Sequence, residues 1–389
     1  MIKTVIRAPL LSVSGYGEHS RQVFRWLLSR KDLDVETQIV QWGVTTWYIN
    51  PEFEGGLAGE AMRRSGGAKT KYSLSFQVQL PNEWDSNLAN INVGITAGVE
   101  TDVCNPEWIE CINKMDLVIV PSNHTRETFL RSGDVKTNII VIPESYIDAI
   151  SYKNLPPLNL NLETSFNFMM MGQLTGNNAF NDRKNTFLTL KWLCETFQDD
   201  PDVGILIKTN SGRNTKFDKE LTTNALKAAL AEVRKGPYPR VHLLHGLMKS
   251  HEVASIYRLP TVKAFLSLTR GEGYGLPILE AACSGLPVIA TNWSGHLDFL
   301  KHTKFIKVNY ELSQIHESRV DNAIFIKDSR WAEPIEADAK KRLLKFRRMS
   351  EKPKIWAEES SQVLLDKFSH KTISQLYDAM INDIMGGFR

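Results

Sequence analysis

The sequence predicts an α/β protein built from two doubly wound parallel sheets, and three observations point there. Short apolar runs alternate with helical stretches, and they do so twice along the chain. Its 389 residues exceed what a single α/β core ordinarily fills. Glycine turns separate strand-like runs from helix starts in both halves, at Ser14-Gly-Tyr-Gly-Glu18 and at Gly271-Glu-Gly-Tyr-Gly275, as expected where parallel strands open onto helices.

In the first half, strands are expected at residues 4–8, 36–41, 74–80, 91–96, 117–121 and 138–142, with a helix over 18–29 after the first glycine turn. Residues 143–165, with Pro156-Pro157 inside them, read as a linker. The second half opens on the apolar run 166–171, followed by strands at 203–208, 241–245, 264–268 and 288–290. A last helical stretch spans 358–385. The expected domains are therefore 1–150, 151–357 and a helical tail, 358–389.

A hydrophobic content of 42% supplies two cores. Residues 1–150 carry 14 basic and 18 acidic side chains, and residues 151–389 carry 33 and 26, so only the second half is basic. That argues for local anion sites and against a wholly basic nucleic-acid binder. Cys104, Cys111, Cys194 and Cys283 lack C-x-x-C or Cys/His ligand spacing, so reduced and mostly buried thiols are expected, the first two able to share one helix face. No run of 18 apolar residues is present, and the start Met1-Ile-Lys-Thr-Val-Ile-Arg-Ala8 is too short and too charged for a secretion signal. A cytoplasmic location is expected.

The chemistry concentrates in residues 264–291. An apolar strand-like run, 264–268, leads into Gly271, Gly273 and Gly275, which let the backbone turn with its amides outward. Pro277 suits the first helical position, and Gly285 suits the helix end. The amides of Tyr274, Gly275 and Leu276 would lie at a positive helix end, where a diphosphate gains hydrogen bonds and dipole stabilisation. Glu272 and Glu280 flank that start. One carboxylate could accept from sugar hydroxyls and the other could chelate a ribose.

This segment, continued through Ser284-Gly-Leu-Pro-Val-Ile-Ala-Thr291 and Gly295, resembles the Glu-x7-Glu motif of retaining glycosyltransferases with the GT-B fold, the large family of sucrose synthases and bacterial mannosyltransferases. The resemblance implies two Rossmann-like domains facing across a cleft, and a nucleoside-diphosphate sugar, UDP-linked, as donor. It gives Glu272 to the sugar, Glu280 to the ribose and Lys184 to the diphosphate. In the matching segment Gln173 stands where an arginine is usual, so Arg183, Lys208 or Arg213 becomes a candidate for the second charge. The stretch His245-Gly-Leu-Met248, with Leu247, is placed like the loop that holds the nucleobase. In the first half, Gly15 and Gly17 are placed like the loop facing phosphates and acceptor. His19 and Arg21 on the next turn are expected in solvent. Relatives place a histidine near the sugar in the loop that here reads Gly94-Ile-Thr-Ala-Gly-Val-Glu100, so Glu100 or Thr96 is expected to act there, Glu100 as a hydrogen-bond acceptor for the incoming hydroxyl.

Asp32-Leu-Asp34 and Asp200-Pro-Asp202 precede strands as polar turns, so neither is expected to bind metal. No cofactor and no essential metal are expected. Arg63, Arg64, Lys69 and Lys71 follow Trp42, Trp47 and Tyr48, and a second basic group holds Lys341, Lys345 and Arg348. Basic side chains beside aromatics suit a flipped base as well as a sugar. A glycan or glycolipid is the expected acceptor. Hydroxymethylated DNA is the alternative acceptor, and a degenerate sugar-nucleotide-binding protein the alternative outside catalysis.

Overall fold

The computed structural model describes residues 1–66, 71–174, 176 and 178–386. It divides into two compact units. The first comprises Met1–Ser145, Asn322–Ile326 and His370–Arg389; the second comprises Tyr146–Asp321 and Lys327–Ser369.

In the first unit the elements run β1 (Ile2–Ala8), α1 (Gly15–Ser29), β2 (Leu33–Ile39), α2 (Leu57–Arg63), β3 (Tyr72–Val78), β4 (Ala89–Ile95), α3 (Pro106–Ile112), β5 (Leu117–Val120), α4 (Asn123–Ser132) and β6 (Ile139–Val141). The sheet is parallel throughout, in the order β2-β1-β3-β4-β5-β6. Runs such as Leu117-Val-Ile-Val120 are buried along their whole length, which is why they lack the alternation of a one-sided strand.

The second unit repeats the plan with β7 (Phe166–Met171), α5 (Thr186–Thr196), β8 (Val203–Lys208), α6 (Lys216–Val233), β9 (Arg240–Leu244), α7 (Ser250–Tyr257), β10 (Val262–Ser267), α8 (Leu276–Cys283), β11 (Val288–Thr291), α9 (Leu297–Leu300) and β12 (Ile306–Val308). Its parallel sheet is ordered β12-β11-β10-β7-β8-β9. Phe166, Phe168, Ile205, Ile207 and Leu266 pack there against Leu190, Leu193, Phe197, Leu343 and Phe346. An antiparallel pair, β13 (Tyr310–Gln314) with β14 (Arg330–Pro334), follows, then α10 (Glu336–Arg348) and α11 (Glu351–Lys367). The last helix, α12 (His370–Gly386), belongs to the first unit. There Tyr377 stacks on Trp26, and Asp378 accepts from the Trp26 indole at 2.9 Å.

Several expectations need correction. The final helical stretch is two helices, broken at Phe368 and Ser369. Cys104 precedes α3 and does not share that helix with Cys111. His19 and Arg21 are 2% and 3% exposed where solvent was expected. Arg21 donates to the carbonyls of Leu10 and Ser12 and pairs with Glu18 and Glu54, so it holds the turn after β1. His19 lies on the same α1 face as Gln22 and Trp26. Gln22 exchanges hydrogen bonds with the Ser145 backbone, and that segment brings Glu144 to 3.9 Å from His19.

Burial pushes the His19 imidazole down from 6.5 to about 4. The unfolded chain therefore takes up the proton first, and stability present above about 6.5 is lost as pH falls toward 4. Chemical denaturation at pH 7 and pH 5 should show a drop for the wild type that is about 2 kcal/mol larger than for His19→Gln. Equal drops would mean that His19 carries no such linkage.

Candidate functional site

Each sheet has one place where the strand order reverses, and ligands of open α/β sheets bind at such points, outside the carboxyl ends of the strands. In the second unit β7 lies between β8 and β10, so the chain winds to one side through β8 and β9 and returns to the other at β10. A crevice opens there, lined by Gly172, Lys184, Thr186, Thr209, Ser267 and Leu268.

Lys184 and Glu272 meet at this edge. Lys184 Nζ donates to Glu272 Oε1 at 2.6 Å, and Arg183 Nη1 lies 3.4 Å from Oε2. Glu272 is 6% exposed. Burial pushes its carboxyl up, but the Lys184 and Arg183 charges and the Lys184 hydrogen bond outweigh that and hold it at about 2. The carboxylate is thus ionised at neutral pH and anchored by two cations.

Neighbours that no local spacing announces fix this geometry. Asp182 is fully buried; its carboxylate accepts from the amides of Lys184 at 3.1 Å and Thr186 at 2.5 Å, capping α5 and setting where Lys184 leaves the chain. Arg270 donates through Nη1 to the carbonyls of Ala179 and Asp182, at 2.7 and 2.8 Å. It also stacks over Trp331 and pairs with Glu333 of β14. Ser294 Oγ accepts from the Glu272 amide at 2.9 Å. His296, buried beside it, bonds the Thr291 carbonyl at 2.7 Å, and burial pushes its imidazole down. Gly295 is required by space, since a Cβ there would lie 2.0 Å from the Gly273 carbonyl oxygen.

Gly275 caps α8 at φ +100°, a left-handed conformation that favours glycine. Pro277 stands second in the helix, one place later than expected. The amides of Gly275 and Leu276 have no hydrogen-bond acceptor among the described residues, although both residues are buried. Buried unpaired amides at a helix start are suited to an anion. Glu280, one turn further, accepts from the Tyr257 hydroxyl at 3.1 Å.

Residues 233–321 match the family described as glycosyl transferases group 1. No curated protein matches the chain in sequence. Sucrose-phosphate synthase from Thermosynechococcus elongatus is similar in structure at 13% identity, covering 100% of both chains with a TM-score of 0.66. A glycosyltransferase from Rickettsia africae aligns over 99% of this chain and 98% of its own, at 14% identity and 0.64. The Anabaena protein HepE, solved with UDP and glucose, aligns over 98% and 100%, at 14% identity and 0.61. The chain has the GT-B fold.

Within this fold the remaining candidates divide. Lys208 lies outside the crevice; its Nζ donates to the Gly246 carbonyl at 2.6 Å, and burial pushes its ammonium down. It therefore braces the loop carrying Leu247, which is 38% exposed. Asp218 braces the same loop through His245 at 2.7 Å. Gln173 and Arg213 are exposed, and Arg183 is the cation found beside Lys184.

In the first unit Gly15 has open space around it, whereas a Cβ on Gly17 would lie 1.9 Å from the Ser12 carbonyl oxygen. Thr96 is buried and pairs with the Tyr16 hydroxyl at 2.9 Å. Glu100 is half-buried and near enough to act on the Tyr16 phenol. Arg63 and Arg64 both pair with Glu60, so the expected basic cluster is partly neutralised within α2. Lys71 is exposed, Trp47 is half-buried, and Lys69 falls outside the described residues. Lys341, Lys345 and Arg348 are exposed on α10.

Gly295→Ala should displace the Gly273 carbonyl and with it the Glu272 loop. Turnover should fall at least about tenfold, with a stability loss on the order of 2 kcal/mol, readable by thermal unfolding alongside an assay. A variant with wild-type stability and rate would show that the close approach has no consequence.

Proposed function

We propose that this glycosyltransferase moves a sugar from a UDP-linked donor to an acceptor hydroxyl of a glycan or glycolipid, with retention of anomeric configuration and without an essential metal. The observation that carries this reading is the gathering of Lys184, Arg183, Glu272 and the unpaired Gly275 and Leu276 amides at one switch-point edge. HepE, one of the similar structures, was solved with UDP and glucose, which supports the choice of nucleotide.

In this reading Glu280 takes the ribose hydroxyls, and the helix amides with Lys184 take the diphosphate. The bond from the anomeric carbon to the diphosphate breaks as charge grows on the leaving oxygens, and the bond to the acceptor oxygen forms on the same face. The departing diphosphate then takes the acceptor proton. Glu272, kept ionised, accepts from the sugar hydroxyls and offsets positive charge on the oxocarbenium-like ring. Electrostatic stabilisation of the leaving group lowers the barrier more than any other contribution.

Incubation with a panel of nucleotide sugars, simple glycans and hydroxymethylated DNA, scored by UDP release, tests the assignment directly. No UDP release from any sugar nucleotide in the panel would leave a binding protein without turnover. Lys184→Ala should lower turnover by a factor on the order of 100 or more, and unchanged turnover in a folded variant would remove Lys184 from the mechanism.

Side-chain cations and helix amides meet the charge of the diphosphate in this reading. Both Asp-x-Asp strings are engaged elsewhere, Asp32 with Arg30 and Asp200 and Asp202 with Arg347. Activity should therefore persist in EDTA. Complete loss on chelation, restored by magnesium or manganese, would overturn the metal-free assignment.

A further inference from the structure

The first unit carries an aromatic stack that the donor site does not use. Its sheet reverses direction beside β1, which lies between β2 and β3, and the segments leaving the carboxyl ends of β1, β2 and β4 converge there. Trp42, after β2, stacks on Tyr16 at the start of α1, with ring centroids 3.8 Å apart and planes 21° from parallel.

Both rings are held. The Tyr16 hydroxyl bonds Thr96 Oγ1 at 2.9 Å and accepts from the Ala97 amide at 3.0 Å, both beyond β4. The Trp42 carbonyl accepts from Thr45 Oγ1 at 2.9 Å, and Thr45 Oγ1 pairs with Ser12 Oγ at 2.8 Å. Backbone bonds from Val13 to Thr46 and from Tyr48 to Leu11 fasten the loop to the turn after β1. Trp42 is nevertheless half-buried, between exposed Gln41, Gly43 and Val44. Its indole N–H has no acceptor among the described residues.

A pre-ordered indole with a free donor at a strand-end edge fits a particular ligand. The electron-rich face of an aromatic ring attracts the weakly positive C–H faces of a pyranose, and the N–H can meet a hydroxyl. Ordering costs are already met within the unit, so a small neutral ligand gains more from each contact. The charges nearby decide against a polyanion. Burial pushes the Tyr16 phenol up, and Glu100 and Glu144 push it further in the same direction, which places two carboxylates within electrostatic reach. Arg21, the basic group one turn along α1, is committed to Glu18 and Glu54.

We infer that Trp42, supported by Tyr16, is the platform of a subsite for a neutral saccharide. Its place in transfer, as the acceptor end, rests on the function proposed above; its ability to bind a saccharide does not.

The test is saturation-transfer NMR with neutral methyl glycosides and their disaccharides, run on the full chain beside calorimetry with UDP. The wild type should show transfer to at least one glycoside. Trp42→Leu should weaken that binding at least tenfold, Trp42→Phe should restore part of it, and UDP affinity should stay the same in all three. Tyr16→Phe, which keeps the ring and removes its anchor, should weaken binding a few-fold and serves if Trp42→Leu does not fold. Equal binding in Trp42→Leu and wild type overturns the inference. So does UDP binding with no glycoside bound, or a single-stranded oligonucleotide held through Trp42 in place of glycosides. Glycoside binding without UDP binding would instead count against the donor reading and leave this subsite standing.

Discussion

The ion pair of half-buried Lys184 with buried Glu272 is the constraint around which the second unit is organised. A carboxylate taken out of water is costly unless cations and donors meet it. The surrounding structure supplies those partners through rigid elements. Asp182 caps α5 and so fixes the backbone amide of Lys184. Arg270 ties the segment before Lys184 to the loop of Glu272, through the Ala179 and Asp182 carbonyls. Gly295 admits the Glu272 loop to van der Waals contact with the turn after β11. The ionised state of Glu272 is therefore a property of the packed fold rather than of one residue.

That dependence explains which parts of the site were legible in the sequence. Glu272, Glu280 and the glycines lie within one strand-turn-helix segment, where the chemistry of a helix start is written locally. Lys184 was reached through resemblance to the glycosyltransferase motif. Asp182, Ser294, His296 and Arg270 were not singled out, because each acts on a partner distant in sequence or through a backbone group. Lys208 stands in the sequence as one of three candidates, with Arg183 and Arg213, for the charge that Gln173 does not supply. It instead satisfies the Gly246 carbonyl, and nothing in its sequence neighbourhood distinguishes the two roles.

The fold was legible for a related reason. Phe166–Met171 and Val203–Lys208 coincide with the expected strands, since uninterrupted apolar runs bounded by polar turns have few other uses in a doubly wound sheet. The β13 and β14 pair was missed. Tyr-Glu-Leu-Ser-Gln and Arg-Trp-Ala-Glu-Pro are short and rich in polar residues, and the contacts of Trp331 and Ala332 are with Arg270, well before either strand in the sequence. His19 and Arg21 were expected in solvent because polar residues on an early helical turn usually face it. Their burial follows from carbonyls and carboxylates brought by the turn after β1, by Glu54 and by Glu144.

The two sheets use the same architectural opportunity for opposite chemistry. At the carboxyl edge of the second sheet stand Lys184 and Arg183, which hold the Glu272 carboxylate between them, and unpaired helix amides, a set with two cations to one anion that suits a diphosphate. At the carboxyl edge of the first stand Tyr16, Trp42, Thr96 and Glu100, with aromatic faces, hydroxyls and negative charge. The acidic side chains of the first edge disfavour an anion, and its aromatic faces suit a neutral polyol. The proposed transfer, from a charged donor to a neutral acceptor, would be served by that asymmetry. The uneven charge along the chain, acidic through residue 150 and basic beyond it, is the same asymmetry at the level of composition.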